Sequence, residues 1–243
     1  MESVFENEIA EKMDVNVVRV KGMPVEHFGL NLRASVCGYQ LSKDNFAVFN
    51  NRNTTGKVRR NLQDFKDSSM EEYTDQWCRD IIKLCMKNYE MNMKHCSTLD
   101  HAGFNGKICS FLNEFPEFRE ITDLKPYKGA AGYYVLVLDA YSQLYVGYSI
   151  DITRRIRQHW SRVVPLDRVM FPTKNAESSV ISIASYRAWD TTRIFISLSN
   201  SDEQENDYIQ FFPKCYLCNR IDGNIRGNSM LDCLRAYSTM NTR

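Results

Sequence analysis

The chain has 243 residues, of which 43% are hydrophobic and 25% are charged, and its formal net charge is +1. This composition is that of an ordinary globular protein and excludes a strongly charged or low-complexity disordered chain. No run approaches the roughly 18 apolar residues of a membrane-spanning helix, and the acidic N-terminus lacks the order of a signal peptide. We therefore expect a cytoplasmic protein with no membrane partner.

The charge is unevenly distributed along the chain. Residues 1–125 contain 17 Lys and Arg against 19 Asp and Glu, whereas residues 126–243 contain 14 against 11. A boundary is predicted near Pro126 and Gly129, because both residue types interrupt regular structure. The sequence thus predicts a separate, mixed α/β N-terminal region at residues 1–125 and a more basic domain at residues 126–243.

The N-terminal region holds candidate helices but no recognisable binding motif. Within Glu71–Met93 apolar residues recur at the spacing of one helix face, and a shorter helix is predicted over Lys107–Phe115. The whole chain contains eight cysteines. We expect them to be reduced, since cytoplasmic proteins rarely keep disulfides.

The second domain begins with two apolar runs that predict a β-hairpin. Tyr133–Leu138 is rich in β-branched, aromatic and aliphatic residues, as in a strand buried on both faces. Asp139–Gln143 has the composition of a turn, and Leu144–Gly147 resumes the apolar pattern. In such a hairpin we expect Tyr134 and Tyr145 to face a common pocket.

A basic helix is predicted directly after the hairpin. Asp151 is a suitable N-cap for a helix over residues 152–160. Arg155 and His159, four residues apart, project from one face of that helix, next to the face that apolar residues would bury. Three further arginines add positive charge around it, as a phosphate-binding surface requires: Arg154, Arg157 and Arg162.

A third strand and a final helix complete the predicted domain. Arg193–Leu198 alternates as a strand does, and Ser201 with Gln204 matches a capping box that would start a helix. Glu205 then lies in the first turn of this helix, and Pro213 ends it. The sequence therefore predicts an α+β domain with a hairpin, a third strand and two helices.

Short elements in this domain together resemble the GIY-YIG nuclease superfamily over residues 128–225. They are Gly132-Tyr133-Tyr134, Tyr145-Val146-Gly147, the pair Arg155 and His159, then Glu205 and finally Asn219. Tyr133 departs from the aliphatic residue usual in the family, and Tyr148 stands where some members carry a lysine. The resemblance implies a small three-stranded antiparallel sheet flanked by helices, and hydrolysis of DNA phosphodiester bonds with one divalent metal ion.

The resemblance also implies a role for each site residue. Tyr145 would activate the attacking water, with Tyr134 completing the hydrogen-bond network. Arg155 would stabilise the phosphate charge, and His159 would relay a proton. Glu205 would ligate Mg²⁺ or Mn²⁺, which can be held by one protein carboxylate because they keep several waters. The role of Asn219 would be to hold the site through its side-chain amide.

Several functional alternatives remain open at this point. The leading hypothesis is a stand-alone DNA endonuclease of the restriction, mobile-element or phage-defence type. A structure-specific repair or recombination nuclease and an inactive nucleic-acid-binding protein are the others. We interpret residues 1–125 as a target-recognition or partner-binding region, and a homodimer would allow cleavage of two strands. Cys215 and Cys218 also form a Cys-x-x-Cys pair, which could hold zinc if further ligands joined it.

Overall fold

The computed structural model describes residues 24–33, 40–43, 86, 89–161, 181 and 183–219. Its strands are β1 (Pro24–His27), β2 (Leu30–Arg33), β3 (Arg119–Ile121), β4 (Gly132–Leu138), β5 (Gln143–Ser149) and β6 (Arg193–Leu198). Its helices are α1 (His101–Glu114), α2 (Ile152–Ser161) and α3 (Glu205–Phe211), and residues 89–98 are also helical. The fold class is α+β, as predicted. In the described part of the chain no helix is long and apolar enough to cross a membrane.

The main sheet has four antiparallel strands in the order β3-β6-β4-β5, and not the three that we predicted. All three predicted strands are present. The fourth is β3, which is only three residues long and has a single buried side chain, too little to register as a pattern in the sequence. Because β3 and α1 precede residue 126, the sheet and its packing continue across the expected boundary between the two parts.

Strand β4 lies at the centre of the sheet, and all seven of its residues are buried. Its alternate side chains enter two separate cores. Tyr134, Leu136 and Leu138 lie on what we call the first face, which packs against α2. Tyr133, Val135 and Val137 lie on the second face, against residues of α1 and α3. Burial on both faces explains why this segment is apolar throughout instead of alternating.

Helix α2 begins where the sequence predicts. Asp151 Oδ1 accepts a hydrogen bond of 3.0 Å from the backbone N–H of Arg154, which confirms Asp151 as the N-cap. Ile152 and Ile156 are completely buried on the first face. Arg155 is half-buried beside them, and His159 is buried with them.

Two other helices begin at residues different from those predicted. Helix α3 starts at Glu205 because Gln204 N donates to the Tyr133 hydroxyl and no capping box forms at Ser201. Helix α1 starts at His101, six residues before the predicted Lys107. The side chain of Asp100 caps it by accepting from Ala102 N, and two glycines in its first half had hidden the pattern. The helix predicted over Glu71–Met93 lies mostly outside the described residues.

The hairpin of β1 and β2 docks on the loop that precedes β6. His27 Nε2 donates a hydrogen bond of 3.0 Å to the carbonyl oxygen of Thr191. Leu41 N donates to both carboxylate oxygens of Asp190 at 3.1 Å. Thr191 Oγ1 in turn accepts from Trp160 Nε1 at 2.9 Å. Segments from the first part of the chain are thereby connected to the end of α2.

Candidate active site

The two predicted tyrosines meet on the first face of the sheet. Tyr134 pairs with Gly147 and Tyr145 pairs with Leu136, so the phenols are diagonal neighbours with ring centroids 6.2 Å apart. A Cβ atom at Gly147 would lie 2.5 Å from the Tyr134 hydroxyl oxygen. Glycine at this position therefore leaves the space that the hydroxyl group occupies.

His159 from α2 lies over both phenols. A hydrogen bond of 2.9 Å joins its Nε2 to the Tyr134 hydroxyl, and its ring contacts that of Tyr145 edge-on with centroids 4.9 Å apart. His159 is 6% exposed and Tyr134 is fully buried. The imidazole is thus placed to exchange a proton with the tyrosine pair away from bulk water.

Arg155, one helical turn before His159, acts on the same two phenols. The positive charge of its guanidinium favours the ionised form of both phenols. Burial lowers the pKa of Arg155, but the two phenols more than compensate, so this pKa is raised. The arginine therefore brings a permanent positive charge to the half-buried site.

Burial governs the protonation of the tyrosines. It raises the pKa of Tyr134 well above its usual value of 10.0, and the nearby Tyr145 raises it further while Arg155 opposes the rise. The pKa of Tyr145 is also raised by burial, again against the opposing effect of Arg155. Both phenols are consequently protonated at neutral pH.

Glu205 reaches the site from the first turn of α3. Its Oε1 accepts a hydrogen bond of 3.0 Å from the backbone N–H of Tyr148 on β5, the edge strand of the sheet. Burial raises its pKa and so does Asp202, whereas the Tyr148 N–H and the charge of Arg155 lower it. The charge of Glu205 raises the pKa values of Tyr134 and Tyr145, whereas that of Arg155 lowers them. Tyr148, whose amide binds the carboxylate, lies three residues from Tyr145 on the same strand.

Asn219 binds the same edge strand without contacting the reacting groups. Its Nδ2 donates to Val146 O at 2.7 Å, and its Oδ1 accepts from Val146 N at 3.0 Å. Cys218 N adds a hydrogen bond of 2.8 Å to Leu144 O. Through these bonds Asn219 fixes the strand that carries Tyr145 and the Tyr148 amide.

The predicted surface arginines are only partly within the described residues. Arg154 and Arg157 are exposed on the outer side of α2. They are therefore accessible to a large anionic ligand. Arg162 lies outside the described residues.

The donor groups fit a magnesium or manganese ion held by a single carboxylate. No group of three or more His, Cys, Asp or Glu suited to a metal occurs among the residues that the structure describes. Within the same residues, however, Glu205 Oε2 accepts no hydrogen bond, and the buried Asn206 Oδ1 in the same helical turn has no partner. Mg²⁺ prefers such oxygens and fills its other positions with water and substrate phosphate.

The groups considered for zinc have other partners in the structure. His101 Nδ1 shares a hydrogen bond of 2.6 Å with Ser142 Oγ. The backbone oxygen of Cys215 accepts from Gln143 Nε2 at 2.6 Å, and Cys218 Sγ lies 3.9 Å from Gln143 Oε1. These contacts link His101, Cys215 and Cys218 to the start of β5 through Ser142 and Gln143.

The sequence did not reveal how the carboxylate is held. The decisive group is the backbone amide of Tyr148, which carries no residue-specific signal. In the sequence, position 148 differs from the GIY-YIG pattern only in its side chain, because some members of that superfamily carry a lysine there. The outward direction of its N–H follows from the place of β5 at the sheet edge, which only the three-dimensional arrangement shows.

Comparisons with protein-family models, with curated proteins and with solved structures found no match to this chain. The functional argument therefore depends on the residues themselves and on the geometry described above.

Proposed function

We propose that the protein is a divalent-metal-dependent endonuclease that hydrolyses phosphodiester bonds in DNA. The observation that carries the proposal is the convergence of four kinds of chemical group from distant parts of the chain. The Tyr134 hydroxyl bonds His159 Nε2 at 2.9 Å, the Tyr145 ring contacts the His159 ring, and the charges of Arg155 and Glu205 act on both phenols. A structural core would not need these groups in one place.

The tyrosines and the histidine form a path for a proton. Since both phenols keep their own protons, we propose a relay in which no free phenolate accumulates. Tyr145 takes a proton from the attacking water while its own proton passes to the Tyr134 oxygen. The Tyr134 proton then moves to His159 Nε2, which ends as an imidazolium. Transfers of this kind contribute roughly 10²- to 10⁴-fold to a rate.

The charged groups act on the phosphate. Arg155 is held between the phenols, so its guanidinium can bind a non-bridging oxygen and stabilise the negative charge that develops there. Glu205 would hold Mg²⁺ or Mn²⁺, with water and substrate phosphate filling the other positions. The bound ion would supply Lewis-acid stabilisation of the phosphate and of the departing oxygen.

The surroundings of the site suit a polyanion. The exposed Arg154 and Arg157 would contact phosphates on either side of the cut. We interpret the first part of the chain as the region that selects the target. Because each chain has one such site, cleavage of both strands would be favoured by a homodimer.

A comparison of two glutamates tests the proposal. Glu205→Gln removes the charge that would hold the metal but keeps an oxygen for the Tyr148 amide, so we expect plasmid nicking in Mg²⁺ to fall by about 10²-fold or more. Glu203→Gln is the matched control, since Glu203 is exposed and two residues away. It should nick DNA at the wild-type rate. Equal nicking by wild type and Glu205→Gln would refute the assignment.

A further inference from the structure

Tyr133 is the neighbour of Tyr134 on β4, but its side chain enters the opposite core. It is 1% exposed, and its ring packs against the rings of Tyr148 and Tyr208 with centroids 5.2 and 4.9 Å apart. An aliphatic residue, which is usual at this position of the GIY-YIG pattern, could also fill an apolar core. The hydroxyl group is therefore the part of Tyr133 that requires an explanation.

The Tyr133 hydroxyl holds the segment that leads into α3 at two points. It donates a hydrogen bond of 2.5 Å to the carbonyl oxygen of Ser201, and it accepts one of 3.1 Å from the backbone N–H of Gln204. Gln204 directly precedes Glu205, the first residue of α3. One buried side chain thus fixes the backbone immediately before the carboxylate that would hold the metal ion.

The two backbone groups held by Tyr133 are groups that an earlier helix start would use. A serine N-cap accepts the N–H of the third helical residue on its hydroxyl oxygen, and its carbonyl oxygen accepts the first intrahelical hydrogen bond. For an N-cap at Ser201 these donors would be Gln204 N and Glu205 N. In the structure Gln204 N and Ser201 O both bond the Tyr133 hydroxyl. Glu205 N donates to Asp202 O at 3.3 Å.

The groups needed for the earlier start lie close together. Ser201 is exposed, and its hydroxyl oxygen accepts from Glu203 N at 3.3 Å. Gln204 has helical backbone angles, with φ -90° and ψ -3°. Only a small movement would bring Gln204 N to Ser201 Oγ if the Tyr133 hydroxyl were absent. The local sequence therefore favours a longer helix, and the contact with Tyr133 prevents it.

The start of α3 affects the position of the Glu205 carboxylate. Glu205 Oε1 accepts a hydrogen bond of 3.0 Å from Tyr148 N. Tyr148 is the register partner of Tyr133, so the residue that holds the segment and the residue that holds the carboxylate are directly opposite each other. A segment that left Tyr133 to join the helix would therefore move Glu205 relative to the Tyr148 amide.

We propose that Tyr133 is a positioning residue for the metal site. Its hydroxyl keeps residues 201–204 out of α3 and so holds the Glu205 carboxylate against the Tyr148 amide. This inference rests on the proposed nuclease function and adds a residue to its metal site. Groups that orient a metal ligand without binding the ion typically contribute about 10- to 100-fold to metal affinity or activity. Tyr133 acts in this way through the backbone.

Binding of Mn²⁺ to the full chain, measured by electron paramagnetic resonance, tests the proposal without a cleavage assay. Tyr133→Phe keeps the ring but removes both hydrogen bonds, so we expect its Mn²⁺ affinity to fall by about 10-fold or more. Plasmid nicking should then require more Mg²⁺ and recover at saturating Mg²⁺. Tyr141→Phe is the matched control, since it also removes a buried phenol hydroxyl, one that bonds Asp190 in the core on the first face. It should bind Mn²⁺ as the wild type does.

Ser201 provides a rescue experiment. Ser201→Ala removes the competing N-cap, so the double variant Tyr133→Phe and Ser201→Ala should recover Mn²⁺ affinity relative to Tyr133→Phe. Ser201→Ala alone should bind Mn²⁺ like the wild type. Backbone NMR shifts should show residues 202–204 becoming helical in Tyr133→Phe but not in the double variant. A loss of packing alone would produce neither the rescue nor the longer helix.

The outcomes separate this inference from the function on which it rests. Unchanged Mn²⁺ affinity in Tyr133→Phe, or a reduced affinity that Ser201→Ala does not restore, would overturn the positioning role. The nuclease proposal stands in both cases if the wild type binds Mn²⁺ and nicks DNA. A wild type that neither binds Mn²⁺ nor nicks DNA would end both proposals.

Discussion

At the scale of single residues, the candidate site contains hydroxyl and carboxyl groups whose ionised forms are disfavoured by burial. Tyr134 is fully buried, yet its hydroxyl has two functional neighbours, His159 and Tyr145. A phenylalanine ring without the hydroxyl group would fill the core equally well. The polar atom is therefore the part of Tyr134 that function requires.

Replacing Tyr134 by Phe tests this directly. The relay from Tyr145 to His159 would be interrupted, so we expect DNA nicking to fall by about 10²-fold or more, with a loss of stability of about 1–2 kcal/mol. Tyr141→Phe is the control, because Tyr141 donates to the buried Asp190 at 2.8 Å, outside the site. It should lose stability similarly but keep its activity; full activity of Tyr134→Phe would contradict the relay.

Glu205 makes a prediction about pH. Its pKa is raised above 4.5, chiefly by burial, and only the ionised form binds a metal. As the pH falls, Glu205 should therefore become protonated at a higher pH than an ordinary glutamate, and activity should begin to decline at that higher pH. Nicking rates and Mg²⁺ affinity measured from pH 8 down to about pH 4.5 would show this. A profile that stays flat down to about pH 4.5 would contradict it.

The same shift has the opposite effect on stability. A carboxyl group whose pKa is raised in the folded state destabilises that state above its pKa, and the penalty disappears below the pKa of the unfolded chain. Glu205→Gln should therefore unfold at the same or a slightly higher temperature than wild type near pH 7.5, and the difference should vanish as the pH falls below about 4.5. An ionised Glu205, the form that would bind a metal, thus lowers the stability of the folded protein near neutral pH.

At the scale of elements, the strands and α2 were predictable from local patterns, whereas the ends of other elements were not. Burial on both faces of β4 gives an unmistakable apolar run, and Asp151 is a strong N-cap signal. The start of α3 depends instead on the Tyr133 hydroxyl, about seventy residues earlier in the chain. Such distant contacts override a local capping box.

The edge strand gives an element-scale prediction. Asn219→Ala would remove both hydrogen bonds to Val146, so we expect a loss of about 1–3 kcal/mol in the free energy of unfolding. Activity should fall too, since Val146 lies between Tyr145 and the Tyr148 region. Chemical unfolding and nicking assays would measure these effects. The exposed Asn105, which caps its own helix turn, provides a control: Asn105→Ala should leave activity unchanged.

At the scale of the whole molecule, the first part of the chain contributes to the core that supports the site. Leu30, Leu32 and Leu41 are buried in the same cluster as Tyr134 and Trp160. This burial could not be predicted from the sequence, because the apolar residues of a four-residue strand do not indicate which residues they pack against or which face of the strand is buried. A target-recognition region that only lay next to the C-terminal domain would not contribute side chains to the hydrophobic core of that domain.

Substitution in the hairpin tests this integration. Leu32 is 5% exposed, so Leu32→Ala should lower the free energy of unfolding by about 2–4 kcal/mol. Because the cluster extends to α2, we expect a single cooperative transition for the whole protein, followed by circular dichroism and by tryptophan fluorescence. Asn31→Ala, on the exposed side of the same strand, should change little. Separate transitions with the two probes would show that the hairpin folds independently.

The hydrogen bonds that Glu205 and Asn219 make to β5 have a further consequence for association between copies of the protein. An uncovered edge strand offers peptide groups that recruit other chains into intermolecular sheets. Here Glu205 and Asn219 already occupy the outward amides of Tyr148 and Val146. These two side chains of the candidate site therefore leave fewer free amides for intermolecular pairing, and substitutions that remove them should also reduce the solubility of the protein.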